Sequence, residues 1–273
     1  IYEDVNDDGN ISDIIVLDLS SNPENPIYVS EWSGHYIHDV CMNGDRLYGC
    51  GITDGPSYDD KMFAFDISDP SNINLIGQWD GVYAAHACWV SDDGNTVFTG
   101  SEFGGGHIMS FDVSDINNIN LLDNWMPYGG ETWSAHNLFR KDNYLYISYY
   151  VYGLQILDIS DPLNMVGVGY YDTLNEIEEG LGSNDIFSGV WGVYPFFDSN
   201  KTIISDMENG LFVLRDNLVS GDINLDGEIN VVDVVTLVNM IFDDYQADSD
   251  NDLNNDGSIN IFDIIILIDI ILN

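Results

Sequence analysis

Positive charge is what this chain has least of. Across 273 residues, six Lys and Arg stand against 47 Asp and Glu, a formal charge of −41. Binding nucleic acid means neutralising phosphates with clustered Lys and Arg, so that class of partner is excluded. An anionic membrane surface is disfavoured for the same reason. Long apolar runs are missing too. The most apolar stretch, IFDIIILIDIIL (261–272), has twelve residues and two Asp, short of the ~18 that a membrane span requires. Cysteine is scarce, and the three thiols, Cys41, Cys50 and Cys88, form no complete disulfide framework. Cys41 and Cys50 flank an expected hairpin and could approach one another, but buried free thiols are the reading preferred. No G-x-S-x-G, H-E-x-x-H or phosphate loop occurs. The first residue is Ile rather than Met, so N-terminal sequence is expected to have been lost, and the want of a signal peptide says nothing about export.

What is present suffices for a packed protein. Apolar residues make up 45% and aromatic residues 12%, so the acidity is not a sign of disorder. The length has room for one large domain and one small one. The acidic surface fits a saline environment, divalent-cation loading, or both.

Two stretches near the C-terminus spell nearly the same thing: DINLDGEINVVD (222–233) and DLNNDGSINIFD (252–263). Each has the spacing of a twelve-residue calcium loop, in which a hard cation takes about six to eight oxygens from loop positions 1, 3, 5, 7, 9 and 12. The first set is Asp222, Asn224, Asp226, the carbonyl of Glu228, Asn230 and Asp233. The second is Asp252, Asn254, Asp256, the carbonyl of Ser258, Asn260 and Asp263. Gly227 and Gly257 fall where the loop turns too sharply for a side chain. An apolar helix is expected after each loop, Val231–Phe242 and Ile261–Leu272. Two calcium ions are therefore expected in this segment.

The pair resembles the type I dockerin module over about residues 221–273, down to Asp in place of the usual EF-hand Glu at the last ligand position. The resemblance implies docking onto a cohesin-like domain of a scaffold or surface protein. It implies partner contacts at Val231, Val232, Ile261 and Phe262, where cellulosomal dockerins often carry small hydroxyl residues. That difference, and the absence of Lys or Arg after Arg215, leave the partner's identity open.

Residues 14–215 contain a repeat. The phrase around IIVLDLS recurs as MFAFDISDP, IMSFDVSD and LQILDISDP, with marker aspartates Asp18, Asp66, Asp112 and Asp158 at spacings of 48, 46 and 46 residues. Each marker closes a β-rich run and opens a turn, because short polar side chains bond nearby backbone and stop strands. A strand ending in an aromatic follows (YVSEW, LIGQW, LLDNW, GVGYY). Then comes a run opening on His or Trp (HDVCM, HACWV, HNLFR, WGVYPF), and one more strand. Four short strands per unit is the signature of propeller blades. Four complete units and the tail of one before them are expected. Trp32, Trp79 and Trp125 read as packing between blades, with sugar stacking as the other possibility. The expected fold is mainly β: a propeller of four-stranded antiparallel blades over 1–217, followed by a small all-α calcium module over 218–273.

Residues 14–215 resemble the LVIVD-repeat propellers of bacterial choice-of-anchor surface proteins. The resemblance rests on the LDIS-type strand ends, on His136-Asn137-Leu138, and on the stretch from Trp191 through GVYPFF and Ser205-Asp206 to GLFVLR. It implies an exported protein, secreted or held at the cell surface.

By order within the unit, the strand opening on His lines the propeller axis. His38, His86 and His136 are then equivalent positions, with Trp191 in the fourth place. Asp39 adjoins the first His, and Glu102 and Asp206 end the next strands of their blades. Three imidazoles and a carboxylate such as Glu102 suit a transition metal; the other reading is imidazoles hydrogen-bonded within the blades. The function expected is a non-catalytic propeller for binding or adhesion, with a carbohydrate or protein ligand, tethered through a calcium-dependent dockerin. The alternative is a dockerin-bearing, polysaccharide-degrading propeller enzyme, for which Asp39, Glu102 and Asp206 are the candidate carboxylates.

Overall fold

The structure, a computed structural model, describes residues 14–52, 61–127, 133–174, 186–197, 201–215, 221–224, 228–243, 245, 251–254 and 256–272. The chain divides into two compact units, Ile1–Tyr194 with Ile203–Phe212, and Pro195–Thr202 with Val213–Asn273.

The first unit is built of antiparallel sheets in chain order. β1 (Ile14–Asp18) and β2 (Ile27–Trp32) pair as a two-stranded sheet. β3 (Asp39–Asn43), β4 (Arg46–Gly51), β5 (Lys61–Asp66) and β6 (Asn74–Trp79) form a four-stranded meander. β7 (Ala85–Val90), β8 (Thr96–Ser101), β9 (Ile108–Asp112) and β10 (Asn120–Trp125) repeat it. So do β11 (Leu138–Lys141), β12 (Tyr144–Ser148), β13 (Leu154–Asp158) and β14 (Val166–Tyr171). β15 (Val190–Tyr194), β16 (Lys201–Asp206) and β17 (Gly210–Arg215) follow as a sheet of three. The fourth unit expected to be complete thus contributes three strands among the described residues.

Each marker aspartate ends its strand by the expected turn. Its side chain accepts from the backbone N–H two residues on: Ser20 to Asp18 at 2.8 Å, Ser68 to Asp66 at 2.9 Å, Ser114 to Asp112 at 2.9 Å and Ser160 to Asp158 at 2.8 Å. That hydrogen bond turns the backbone out of the ladder.

The middle strands of the four-stranded sheets are largely buried on both faces, which only stacking on neighbouring sheets can achieve. Tyr48, Cys50, Met62, Ala64 and Val97 lie in one such interface; Leu145, Ile147, Leu157 and Ile108 lie in the next. The aromatic strand ends fill the seams. Trp32 meets Phe65 edge-on at 4.8 Å, and Trp79 sits between Tyr48 of its own sheet and Phe111 of the next, at 6.4 and 5.9 Å. Polar ties cross the same seams: Asn43 donates to the carbonyl of Ser91 at 2.8 Å, and Ser30 and Ser110 to those of Pro70 and Pro162. Scarce cations also serve here, as Arg140 clasps Asp92 with its two terminal guanidinium nitrogens. The first strands of successive sheets, β3, β7, β11 and β15, pack side by side in that order.

The second unit holds two helices at the spans expected from sequence, α1 (Val231–Phe242) and α2 (Ile261–Leu272). They pack through Leu237 and Leu267, both fully buried, with Ile223, Ile229, Val234, Leu253, Ile259 and Ile264 around them. Among the described residues, no helix is long and apolar enough to cross a membrane.

Candidate functional site

The side-by-side packing of the first strands decides the geometry of the site. His38 immediately precedes β3, His86 lies in β7, and His136 stands two residues before β11. Being equivalent in the repeat, they stack. The His38 and His86 rings are 4.2 Å apart, those of His86 and His136 4.3 Å, and Trp191 continues the stack 4.8 Å from His136.

Glu102 closes the group from the end of β8. Its Oε2 lies 3.3 Å from His86 Nε2 and its Oε1 3.9 Å from His136 Nε2. His38 Nε2 is 2.8 Å from His86 Nε2. Among the described residues, His86, Glu102 and His136 are the group of His, Cys, Asp or Glu whose ligand atoms all lie within 4.8 Å of one another. The site borders a cavity of about 620 Å³ lined also by Tyr36, Asp39, Cys88 and Trp191.

Two residues hold the cluster that sequence reasoning missed. Tyr150 donates its hydroxyl to Glu102 Oε1 at 2.6 Å. Its backbone has φ +40°, in the left-handed region that a bulky side chain rarely adopts. The bridge it forms with Val190 keeps it there. Tyr36 places its hydroxyl 3.3 Å from His38 Nδ1. The signal for Tyr150 was legible, since it stands 48 residues after Glu102, one repeat on.

Burial governs the protonation states. It pushes His86 down to about 3, helped by the neighbouring His136 and His38. It pushes His136 down to about 4, against a favourable contribution from the main chain of Trp191. Both imidazoles are therefore neutral at physiological pH, as metal ligands must be. Burial, then the bond to Glu102, drives the Tyr150 hydroxyl well above its ordinary value, so it stays a donor. Nδ1 of His86 and of His136 is buried without a hydrogen-bond partner.

Such a donor set is of the kind that a divalent cation takes. His86 Nε2 faces a second imidazole nitrogen and a carboxylate oxygen at once, and one proton on it serves one of them. A divalent ion accepts all the lone pairs together. A metal held at Nε2 would leave the proton of each imidazole on Nδ1.

Not every sequence candidate joins the cluster. Asp206 is buried, but accepts from the Thr173 hydroxyl and from the N–H groups of Glu208 and Asn209, so its oxygens are committed to a turn. Asp39 lines the cavity, and burial lifts its carboxyl to about 6. Cys41 and Cys50 are not directly paired in the hairpin, their strand partners being Tyr48 and Asp39, but they share one buried cluster with Cys88. All three cysteines are buried and free. The aromatic stretch 125–133 lies partly outside the described residues.

In the second unit the two loops are built alike. Asp233, fully buried, accepts from the N–H groups of Asn224 and Asn230 at 3.0 and 2.8 Å. Asp263, equally buried, accepts from those of Asn254 and Asn260 at 3.2 and 2.7 Å. Asn230 and Asn260 cap their helices by accepting from Val232 and Phe262, a standard means of satisfying the first-turn donors. Asp252 accepts from Asp256 and Gly257, and Asp256 from Ser258. Gly257 has φ +86°, the turn that needs glycine. Glu228 is exposed, and Asp222 is half-buried. Asp226 lies outside the described residues. The four docking candidates, Val231, Val232, Ile261 and Phe262, all point to solvent.

Known proteins bear on the fold. The LVIVD repeat matches residues 59–81 and 134–173. No curated protein matches the chain in sequence. A periplasmic gluconolactonase from Pseudomonas aeruginosa is similar in structure over 71% of this chain and 61% of its own, with a TM-score of 0.50 and 11% identity. A functionally unknown protein from Desulfotomaculum acetoxidans is similar over 74% of this chain and 62% of its own, with a TM-score of 0.53 and 13% identity. The chain thus spans less than two thirds of the length of either. At these identities the likeness concerns the fold alone. The chain carries LVIVD repeats in four-stranded antiparallel sheets that resemble the blades of lactonase-type propellers.

Proposed function

We propose that this is an exported, non-catalytic β-propeller that presents a binding site, secreted or held at the cell surface by a calcium-dependent dockerin at its C-terminus. The observation that carries the tether is the two-faced construction of each loop–helix half. The acid at the last ligand position is wholly buried in Asp233 and Asp263, while the two apolar residues before it, Val231 and Val232 or Ile261 and Phe262, are exposed. Contiguous exposed apolar patches mark sites of partner contact. Val235 and Ile265 extend both faces by one turn, so the repeat supplies two alternative surfaces for a cohesin-like domain. A panel of recombinant cohesins, titrated with the full chain in calcium and in chelator, tests this. Binding to at least one member in calcium only is expected; binding that survives chelator contradicts the reading.

The convergence of three imidazoles on Glu102 favours a second element, a divalent transition metal at the cavity, held by His86, His136 and Glu102 with His38 beside them. A bound ion there would anchor a carbohydrate or protein ligand through its open position. The alternative, a polysaccharide-degrading enzyme, draws on Asp39, whose raised carboxyl suits a general acid. Reducing ends released from a polysaccharide panel, and lost in Asp39→Asn, would favour the enzyme.

A further inference from the structure

Cys41 lies on β3 and Cys88 on β7, in adjoining strands of two successive sheets. Their sulfur atoms are 3.0 Å apart. That is closer than two non-bonded sulfurs sit, and only about 1 Å longer than the ~2.05 Å of a disulfide bond. The pair is enclosed by Tyr48, Met62, Val90 and Val97, all buried, so it has little freedom to move apart. Cys50, buried in the same cluster, also lies against Cys88, and burial holds the thiols of Cys41 and Cys50 well above their ordinary range. One approach stays open: Cys88 lines the cavity that His38, Asp39 and His86 border.

We propose that Cys41 and Cys88 form a redox pair that closes into a disulfide between sheets. The oxidant is a small disulfide entering the cavity. The Cys88 thiol gives up its proton and its sulfur attacks the small disulfide, forming a mixed disulfide and releasing one thiolate. The Cys41 sulfur, losing its own proton, then attacks Cys88 and displaces the second thiolate. Two protein thiols have lost two electrons and two protons, and the donor has become two thiols.

The bond would have a structural consequence. It ties β3 to β7 three residues after His38 and two after His86, so it fixes the strands that bring those imidazoles together. A crosslink that closes a loop of this length stabilises mainly by restricting the unfolded chain. The inference rests on sulfur geometry alone, and its failure leaves the metal and calcium readings as they stand.

The test is to incubate the reduced full chain with oxidised glutathione, denature it, and count maleimide-reactive thiols by mass spectrometry. Wild type should fall from three to one, with a peptide joining Cys41 to Cys88 and Cys50 free. Cys50→Ser, which keeps the pair, should fall from two to none. Oxidation should raise the melting temperature of wild type and Cys50→Ser by several degrees and leave Cys41→Ser unchanged. Three reactive thiols after oxidation, a linkage from Cys50, or an equal rise in Cys41→Ser would overturn the proposal.

Discussion

His38 Nε2 stands 2.8 Å from His86 Nε2, although 48 residues separate them. The same offset joins Tyr150 to Glu102 and Asn43 to Ser91, and an offset of 47 joins Cys41 to Cys88. One repeat along the chain is one sheet across in space. Equivalent residues therefore meet, and a histidine written three times becomes a histidine stack.

The first prediction concerns what fills that stack. Full-length protein purified without chelator should contain close to one transition-metal ion per chain by elemental analysis. His86→Ala and Glu102→Gln should each lose it. Calcium as the sole stoichiometric metal would leave the histidines a structural cluster.

Tyr150 should act through Glu102. Tyr150→Phe removes the hydroxyl that holds Oε1, and lost support of this kind weakens metal affinity about 10–100-fold. A competition assay with a chromogenic chelator measures it. Unchanged affinity would mean that Glu102 needs no such support.

Asp39 yields a pH prediction. Burial raises its folded carboxyl from 3.8 to about 6. The folded state thus binds the proton more tightly, and its stability falls as pH rises from near 3.8 through 6. Asp39→Asn should therefore stabilise the chain at pH 8 by on the order of 1–3 kcal/mol, with almost no gain at pH 4. Urea midpoints of variant and wild type at the two pH values check this; equal gains at both would contradict it.

The helical pair predicts a contrast. Phe262 is 61% exposed and Leu267 is fully buried. Val232→Ala and Phe262→Ala combined, one change on each of the two faces, should leave thermal unfolding nearly unchanged while abolishing cohesin binding. Leu267→Ala should cost about 2–5 kcal/mol. Similar destabilisation by the combined variant would place Val232 or Phe262 in a core.

Much of this was legible in sequence because it is periodic. Repeating aspartates marked strand ends, and the helices followed from the loops that precede them. The histidine stack followed from register. What escaped was set by packing between sheets. The cysteines are buried and free, but the sulfur 3.0 Å from Cys41 belongs to Cys88 of the neighbouring sheet, which the hairpin pattern does not show. Asp206 seemed equivalent to Glu102, yet a local turn claims it. Tyr150 reaches Glu102 from a backbone conformation that no propensity suggests for tyrosine.

The central claim is that calcium builds the C-terminal attachment. Residues 221–273 carry twelve Asp or Glu and no Lys, Arg or His, so without cations the loop acids repel one another and folding should depend on binding. Calorimetric titration of chelator-stripped full-length protein with calcium tests it most directly, paired with helical circular dichroism. Two calcium ions per chain and a gain in helix are predicted, falling to one ion in Asp233→Ala and one in Asp263→Ala. No calcium uptake, or the same helicity in chelator as in calcium, would contradict it.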